Sequence, residues 1–64
     1  MYVNGEQVPL PKEISLYEFL EKEGYDPRKV AVEKSGRVIP RKSYATEMLA
    51  EDDKLEIVWF VGGG

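Results

Sequence analysis

The chain has 64 residues, of which 42% are apolar and 33% are charged. This balance is typical of one small globular domain and not of a disordered segment. A domain of this size buries only about 60% of the surface of its unfolded chain, so it has no room for a deep enclosed pocket. The net charge of −3 argues against binding to nucleic acids or anionic membranes, which attract basic surfaces.

Cysteine and histidine are both absent from the sequence. This excludes a disulfide, a thiolate nucleophile, an imidazole base and the common zinc sites, so most routes to catalysis are closed and we expect no metal. The longest apolar run, 57–61, is too short to span a membrane, and residues 1–5 do not resemble a signal peptide. We therefore expect a soluble, cytoplasmic protein that is a monomer when alone.

The first ten residues predict a β-hairpin. Asn4-Gly5 is a strong hairpin signal because both residues tolerate a positive φ angle. Apolar residues alternate along both arms, at 1–3 and at 8–10. Pro9 has no N–H to donate, so the second strand is expected to lie at a sheet edge or to end there.

A helix is predicted over 15–23. Ser15 is a favoured N-cap residue, and Glu18 three positions later completes the pattern of a capping box. Gly24 marks the C-terminal end. A helix this short is not stable alone, so its apolar stripe must pack on a sheet. That stripe consists of Leu16, Phe19 and Leu20.

Three further segments have the composition of strands or turns. Residues 30–34 predict a strand, Ser35-Gly36 a turn, and 38–39 a short strand that Pro40 ends. An irregular or helical segment is expected over 41–50, and a polar turn over 51–53. The strongest strand signal is 54–61, which is rich in β-branched and aromatic residues.

This order of elements predicts an α+β fold, a ubiquitin-like β-grasp. We expect a mixed four- or five-stranded sheet with one main helix packed on one face. Residues 1–61 would form the single domain. Residues 62–64 would form a flexible glycine tail that carries the C-terminus.

The last predicted strand is apolar on both faces in its second half. Trp59 and Val61 alternate with Val58 and Phe60, and one short helix covers only one face of a sheet. Apolar side chains must therefore face solvent, which predicts a partner surface formed by these four residues. The alternative is a strand end that the 41–50 segment partly covers.

Three glycines follow that predicted surface. Gly62, Gly63 and Gly64 contribute no side chains to packing, and ordering them costs backbone entropy. When extended they reach roughly 10 Å, as a thread narrow enough for a slot that admits no Cβ. They would deliver one functional group, the α-carboxylate of Gly64. The alternative is a frayed end or a cloning remnant.

The sequence resembles the ThiS family, the sulfur carriers of thiamine-thiazole biosynthesis, over nearly its full length. The resemblance is carried by Val3-Asn4-Gly5, 30–34, 38–41 and Tyr44, and above all by 55–64. It implies the β-grasp fold. The family often has Asp-Gly-Asp before the last strand where this chain has Glu51-Asp52-Asp53, and this difference falls on a turn and on no reacting residue.

The resemblance also implies the chemistry and the partners. A ThiF-type adenylyltransferase would use ATP to adenylate the carboxylate of Gly64, and a persulfide protein would convert it to a thiocarboxylate. The thiocarboxylate would donate sulfur to a ThiG-type thiazole synthase. The chain would then be a protein cosubstrate, not an enzyme, with no bound cofactor.

Other functions remain open at this level. Carriers for molybdopterin, tRNA thiolation and cysteine synthesis share the fold and the Gly-Gly end, and a β-grasp interaction module or ubiquitin-like modifier belongs to another class. Arg37, Arg41 and Lys42 predict either a solvated loop or a patch that steers an acidic partner. The acidic 51–53 run lacks the spacing of a calcium loop, which favours a solvated turn.

Overall fold

The computed structural model describes residues 1–10 and 12–60, which form a sheet, an α-helix and a short 3₁₀ helix. The strands are β1 (Tyr2–Val3), β2 (Glu6–Gln7), β3 (Val30–Lys34), β4 (Arg37–Val38) and β5 (Lys54–Trp59). The helix α1 spans Leu16–Lys22, and the 3₁₀ helix spans Arg41–Ser43.

The five strands form one mixed sheet in the order β2-β1-β5-β3-β4. β1 runs parallel to β5, and the other neighbouring strands are antiparallel. The first hairpin and the second therefore lie on opposite sides of β5, with α1 connecting them along the chain. This confirms the predicted β-grasp and makes β5, the last strand in sequence, the central strand of the sheet.

The core lies between α1 and one face of the sheet. In antiparallel strands, directly opposed residues share a face, so the pairs of Val32 with Ile57 and Val30 with Trp59 define the helix side. The opposite face has no helix among the described residues, and we call it the open face. The buried apolar residues are Met1, Val3, Leu10, Ile14, Leu16, Phe19, Leu20, Val30, Val32, Ile39, Tyr44, Leu49, Leu55 and Ile57.

Both ends of α1 are capped as the sequence predicts, with one difference. The Ser15 hydroxyl accepts from the Glu18 N–H at 3.1 Å. Among the described residues, the Ser15 N–H does not donate to the Glu18 carboxylate, so the capping box is half formed. At the other end, Gly24 has φ +87°. The N–H of Tyr25 donates to the Leu20 carbonyl at 2.8 Å, which completes a Schellman motif.

Two short strands differ from the prediction. The second hairpin arm is not a strand over 8–10, because β2 ends at Gln7. The N–H of Val8 donates to the Met1 carbonyl and makes the last bond of the hairpin. The next residue, Pro9, has no N–H to donate. β4 begins at Arg37 and not at 38, because the Ser35-Gly36 turn has only two residues and places Arg37 opposite Lys34.

The segment between β4 and β5 is fastened to the rest of the domain by specific bonds. The buried Tyr44 hydroxyl donates to the Val30 carbonyl at 3.1 Å, and burial raises the pKa of Tyr44. The N–H of Leu49 donates to the Ile14 carbonyl at 2.9 Å, which joins this segment to the start of α1. Regular structure is sparse here, but the position of the segment is fixed.

A lysine network stabilises the same segment. Lys34 Nζ lies 2.9 Å from Glu47 Oε2 and 3.5 Å from Asp53 Oδ2, and all three side chains are largely removed from solvent. The hydrogen bond with Glu47 raises the pKa of Lys34 above its ordinary value. Asp53 also accepts from the N–H of Ala50 at 2.7 Å and closes the turn. Asp52 has no positive φ, so the turn forms without the family's glycine.

Candidate functional site

The two halves of β5 differ sharply in exposure. Leu55 and Ile57 are 1% and 5% exposed, whereas Val58, Trp59 and Phe60 are 62%, 48% and 47% exposed. On the open face, β5 is exposed at Lys54, Glu56 and Val58 alike. On the helix side, the change falls between Ile57 and Trp59. Three apolar side chains therefore face solvent in succession. This is the exposure that the predicted partner surface requires, although binding by these residues stays a prediction.

After Ile57, β5 presents apolar groups on both faces of the sheet. On the open face, Val58 lies opposite Ala31. On the helix side, Trp59 packs obliquely on Tyr25, with ring centroids 5.5 Å apart. Beyond the strand, the Arg41 guanidinium lies 5.5 Å from the centre of the Phe60 ring, within the range of a cation–π contact.

Some cover comes from the 41–50 segment, as the alternative interpretation proposed. Arg41 faces the Phe60 ring, and Tyr44 bonds to Val30, the residue opposite Trp59. The cover is partial, because Val58, Trp59 and Phe60 each keep about half or more of their surface exposed. We call these three residues the exposed end of β5. Val61 and the glycine tail, Gly62–Gly64, lie outside the described residues, so the predicted domain boundary and tail stay predictions.

Asn4 connects the hairpin to this strand in a way that sequence reasoning missed. Its main-chain N–H donates to the Leu55 carbonyl at 2.8 Å. Its side-chain Nδ2 donates to the Ile57 carbonyl at 3.2 Å, and its Oδ1 accepts from the Ile57 N–H at 2.8 Å. The carboxamide thus acts as one further residue of β1. Asn-Gly predicts the turn, but no local pattern reveals a bond across 53 positions.

The predicted basic residues do not act as one free group. The Arg37 guanidinium lies 3.5 Å from Glu47, and Arg41 faces the Phe60 ring. Lys42 is exposed on the 3₁₀ helix. A steering role for these cations stays a prediction.

Within residues 1–10 and 12–60, no group of acidic side chains has an arrangement that could hold a metal ion. Over the same residues, the only α-helix has seven residues, and none is long and apolar enough to cross a lipid bilayer.

Comparisons with known proteins give a consistent result. The model of the ThiS family matches residues 1–64. Thiazole synthases from Paramagnetospirillum magneticum and Magnetococcus marinus are 41% and 39% identical over all 64 residues. This chain spans only 20% of the length of each of those relatives.

A solved structure shares the fold over almost the whole chain. The crystal structure of the thiamine biosynthesis protein ThiS from Geobacter metallireducens superimposes with a TM-score of 0.83 at 26% identity. The match covers 98% of this chain and 96% of that one. The solution structure of a thiamine biosynthesis protein from the same organism gives a TM-score of 0.77 at 27% identity.

Proposed function

The chain belongs to the ThiS family, and on this premise we propose that it is a sulfur carrier of thiamine biosynthesis, a protein substrate and not an enzyme. The observation that carries the proposal is the family match across all 64 residues, which includes the sequence from the exposed end of β5 through Gly64. In this proposal the domain supplies a docking surface and a reacting group, and the partners supply the catalytic groups.

The proposed reacting group is the α-carboxylate of Gly64. A carboxylate of this type ionises near pH 3.5, so at neutral pH it is an anion and a poor electrophile. A ThiF-type adenylyltransferase would join it to AMP from ATP with release of pyrophosphate. This converts one carboxylate oxygen into part of a good leaving group. ATP is the partner's substrate, and this chain would bind no cofactor.

Sulfur would then be transferred to the C-terminus in two steps. The terminal sulfur of a persulfide on a donor protein attacks the carbonyl carbon and displaces AMP, which leaves an acyl disulfide. A second thiolate attacks the donor's sulfur in that S–S bond. The products are a thiocarboxylate at Gly64 and a disulfide on the donor. Because the chain has no cysteine, no thiol of its own competes for the activated carbonyl.

A thiazole synthase is the proposed acceptor of the sulfur. The relatives from Paramagnetospirillum magneticum and Magnetococcus marinus contain a segment similar to this whole chain within a protein about five times as long. Covalent linkage of two functions in one polypeptide favours their interaction when they occur as separate chains. We therefore propose that a ThiG-type enzyme takes the thiocarboxylate and returns the carboxylate.

Alkylation and intact-mass measurement together test this proposal. The chain is incubated with a ThiF-type enzyme, ATP and a persulfide donor, and is then treated with iodoacetamide. Because the sequence has no cysteine, a thiocarboxylate is the expected site of rapid alkylation. The alkylation step also separates sulfur loading from oxidation of the two methionines, which adds nearly the same mass.

Two controls locate the reaction. A chain with the Gly64 carboxyl replaced by a carboxamide keeps its length and should gain no adduct, and a chain that lacks Gly64 should also fail to load. An adduct on the carboxamide variant would contradict the assignment of the chemistry to this group. Conjugates to lysines of other proteins would indicate a modifier, and an unchanged mass would indicate an interaction module without this chemistry.

A further inference from the structure

The main-chain groups of β5 alternate between its two neighbouring strands. The N–H of Ser35 donates to the Lys54 carbonyl at 2.7 Å, and the N–H of Phe60 donates to the Lys29 carbonyl at 2.8 Å. These bonds fix the register, so even-numbered residues of β5 bond toward β3. Leu55, Ile57 and Trp59 therefore direct their N–H and C=O groups toward the β1 side.

On the β1 side, the main-chain groups of β5 have hydrogen-bond partners only as far as Ile57. The Leu55 carbonyl accepts from Asn4, and the Asn4 carboxamide bonds to both main-chain groups of Ile57. β1 itself ends at Val3. Outside the strand ladders, none of the hydrogen bonds of residues 1–10 and 12–60 involves the main chain of Trp59. Within the β3 ladder, the alternation described above makes the Val30–Trp59 pair a non-hydrogen-bonded one. Trp59 thus presents the first open position on this edge of the central strand.

The hairpin turn leaves this edge accessible. Asn4 and Gly5 both have positive φ, at +51° and +85°, and the chain reverses there without continuing along β5. A Cβ added at Gly5 would have no neighbour within 4 Å, so the space beside the turn is open. Trp59 is 48% exposed and packs obliquely on Tyr25, so a strand placed beside it would also contact apolar surface.

We propose that the open edge of β5 at Trp59 receives an extended main-chain segment of the protein that acts on the tail, which adds a strand to the sheet. The identity of that protein rests on the proposed function. Trp59 stands five residues before Gly64, within roughly 17 Å along an extended chain. A segment paired here would hold the base of the tail in line with the partner's reaction centre.

The occupant is a partner strand and not a second copy of this chain. Two copies paired across Trp59 would gain only a few main-chain hydrogen bonds, each with a small net free energy. That gain is below the cost of immobilising two proteins against each other. A partner that also contacts Val58 and Phe60 and encloses the tail gains further contacts from the same docking event.

Amide hydrogen exchange of the isotopically labelled full chain tests the inference. In the free protein, the Trp59 amide should exchange as fast as that of Glu51, an exposed turn residue before β5. The Ile57 amide, bonded to Asn4, should be protected. Addition of the ThiF-type enzyme from the loading experiment should protect Trp59 and leave Glu51 unchanged. Protection of Trp59 in the monomeric free protein would overturn the inference.

Chemical synthesis provides a matched pair of variants. Replacement of the Trp59 N–H by an ester oxygen keeps the side chain and removes the donor, and the same replacement at Glu51 is the control. We expect about tenfold weaker binding of the enzyme for the Trp59 ester and little change for the control. Equal affinities for the two esters would overturn the inference.

The outcomes separate this inference from the proposed function. A chain that is loaded with sulfur while the Trp59 amide stays unprotected in the complex contradicts the strand addition alone. A complex in which Trp59 is protected but no alkylable group ever forms contradicts the sulfur chemistry and supports the strand addition. Sedimentation measures whether the free chain dimerises. If the Trp59 amide becomes protected only when the free chain forms dimers, the edge belongs to a second copy and the proposal is overturned.

Discussion

The two halves of β5 belong to one strand but have different surroundings. Leu55 and Ile57 lie in the core, where β5 has β3 as its neighbour on one side and Val3 and Asn4 on the other. Val58, Trp59 and Phe60 continue the same strand direction with β3 on one side only. Within a few residues, the helix side of the strand passes from the core to an exposed apolar end.

In the proposed function, this contrast would allow a small domain to present a reacting terminus. β5 lies in the middle of the sheet and pairs with β1 and β3, so in the proposed function the tail would start from a strand that two neighbours hold in place. The apolar residues next to that point contribute little to the core and are available to a partner. We therefore expect substitutions in the first half to affect folding and substitutions in the second half to affect sulfur loading.

The largest expected effect on stability is at Leu55. Leu55→Ala should lower the free energy of unfolding by about 2–5 kcal/mol, because a fully buried side chain is truncated and a cavity is left. Val58→Ala on the same strand is the matched control and should change it by about 0.5 kcal/mol or less. Urea denaturation measures both. Similar losses for the two variants would contradict the division of β5.

A smaller effect is expected at the boundary between the halves. Asn4→Ala should cost about 2 kcal/mol, because Ile57 loses both main-chain partners and alanine is strained at φ +51°. Glycine adopts that φ without strain, so Asn4→Gly should lower the free energy of unfolding by about 1–2 kcal/mol through loss of the carboxamide hydrogen bonds alone. Thermal or urea unfolding compares the three proteins. A glycine variant as stable as the wild type would show that the carboxamide bonds contribute nothing.

The sequence predicts those parts of this architecture that depend on local patterns. The bounds of β3 agree with the prediction, and Ser15 and Gly24 cap the helix as expected, because capping and strand periodicity are encoded within a few residues. The exposed end of β5 follows from counting apolar residues against one short helix. Its exposure was therefore predictable without coordinates.

The rest depends on contacts between residues far apart in sequence. The bond of Asn4 to Ile57 and that of Tyr44 to Val30 have no local signature. The same holds for the Lys34 network, because a lysine in a strand gives no indication of which carboxylates it will meet. The open edge at Trp59 is harder still to predict from the sequence, because it depends on where β1 ends relative to β5.

The stability of the domain at alkaline pH offers a third test. The hydrogen bond with Glu47 raises the pKa of Lys34, and burial raises the pKa of Tyr44. A raised folded-state pKa means that the stabilisation is complete below the ordinary pKa and is lost as pH rises through the folded value. Stability should therefore fall above about pH 10.

Two variants separate these contributions. Lys34→Gln should lose about 1 kcal/mol at neutral pH and show a flatter decline at alkaline pH. Tyr44→Phe should remove the contribution of the Tyr44 hydroxyl to the alkaline decline. It should also lower the free energy of unfolding by about 1 kcal/mol, because the hydrogen bond to the Val30 carbonyl is lost. Urea unfolding at a series of pH values gives the curves. A Lys34→Gln curve parallel to that of the wild type would contradict a role for the Lys34 charge.

A small effect on stability is also expected at Phe60, which provides the most direct test of the account. Phe60→Asp removes a ring that is 47% exposed, so the free energy of unfolding should change by about 1 kcal/mol or less. The kcat/KM of the activating enzyme for the chain, measured by alkylation of the loaded product, should fall about tenfold or more at a temperature where the variant is folded. A loss of kcat/KM no larger than the loss of folded protein would contradict the claim that the exposed end of β5 is a docking surface.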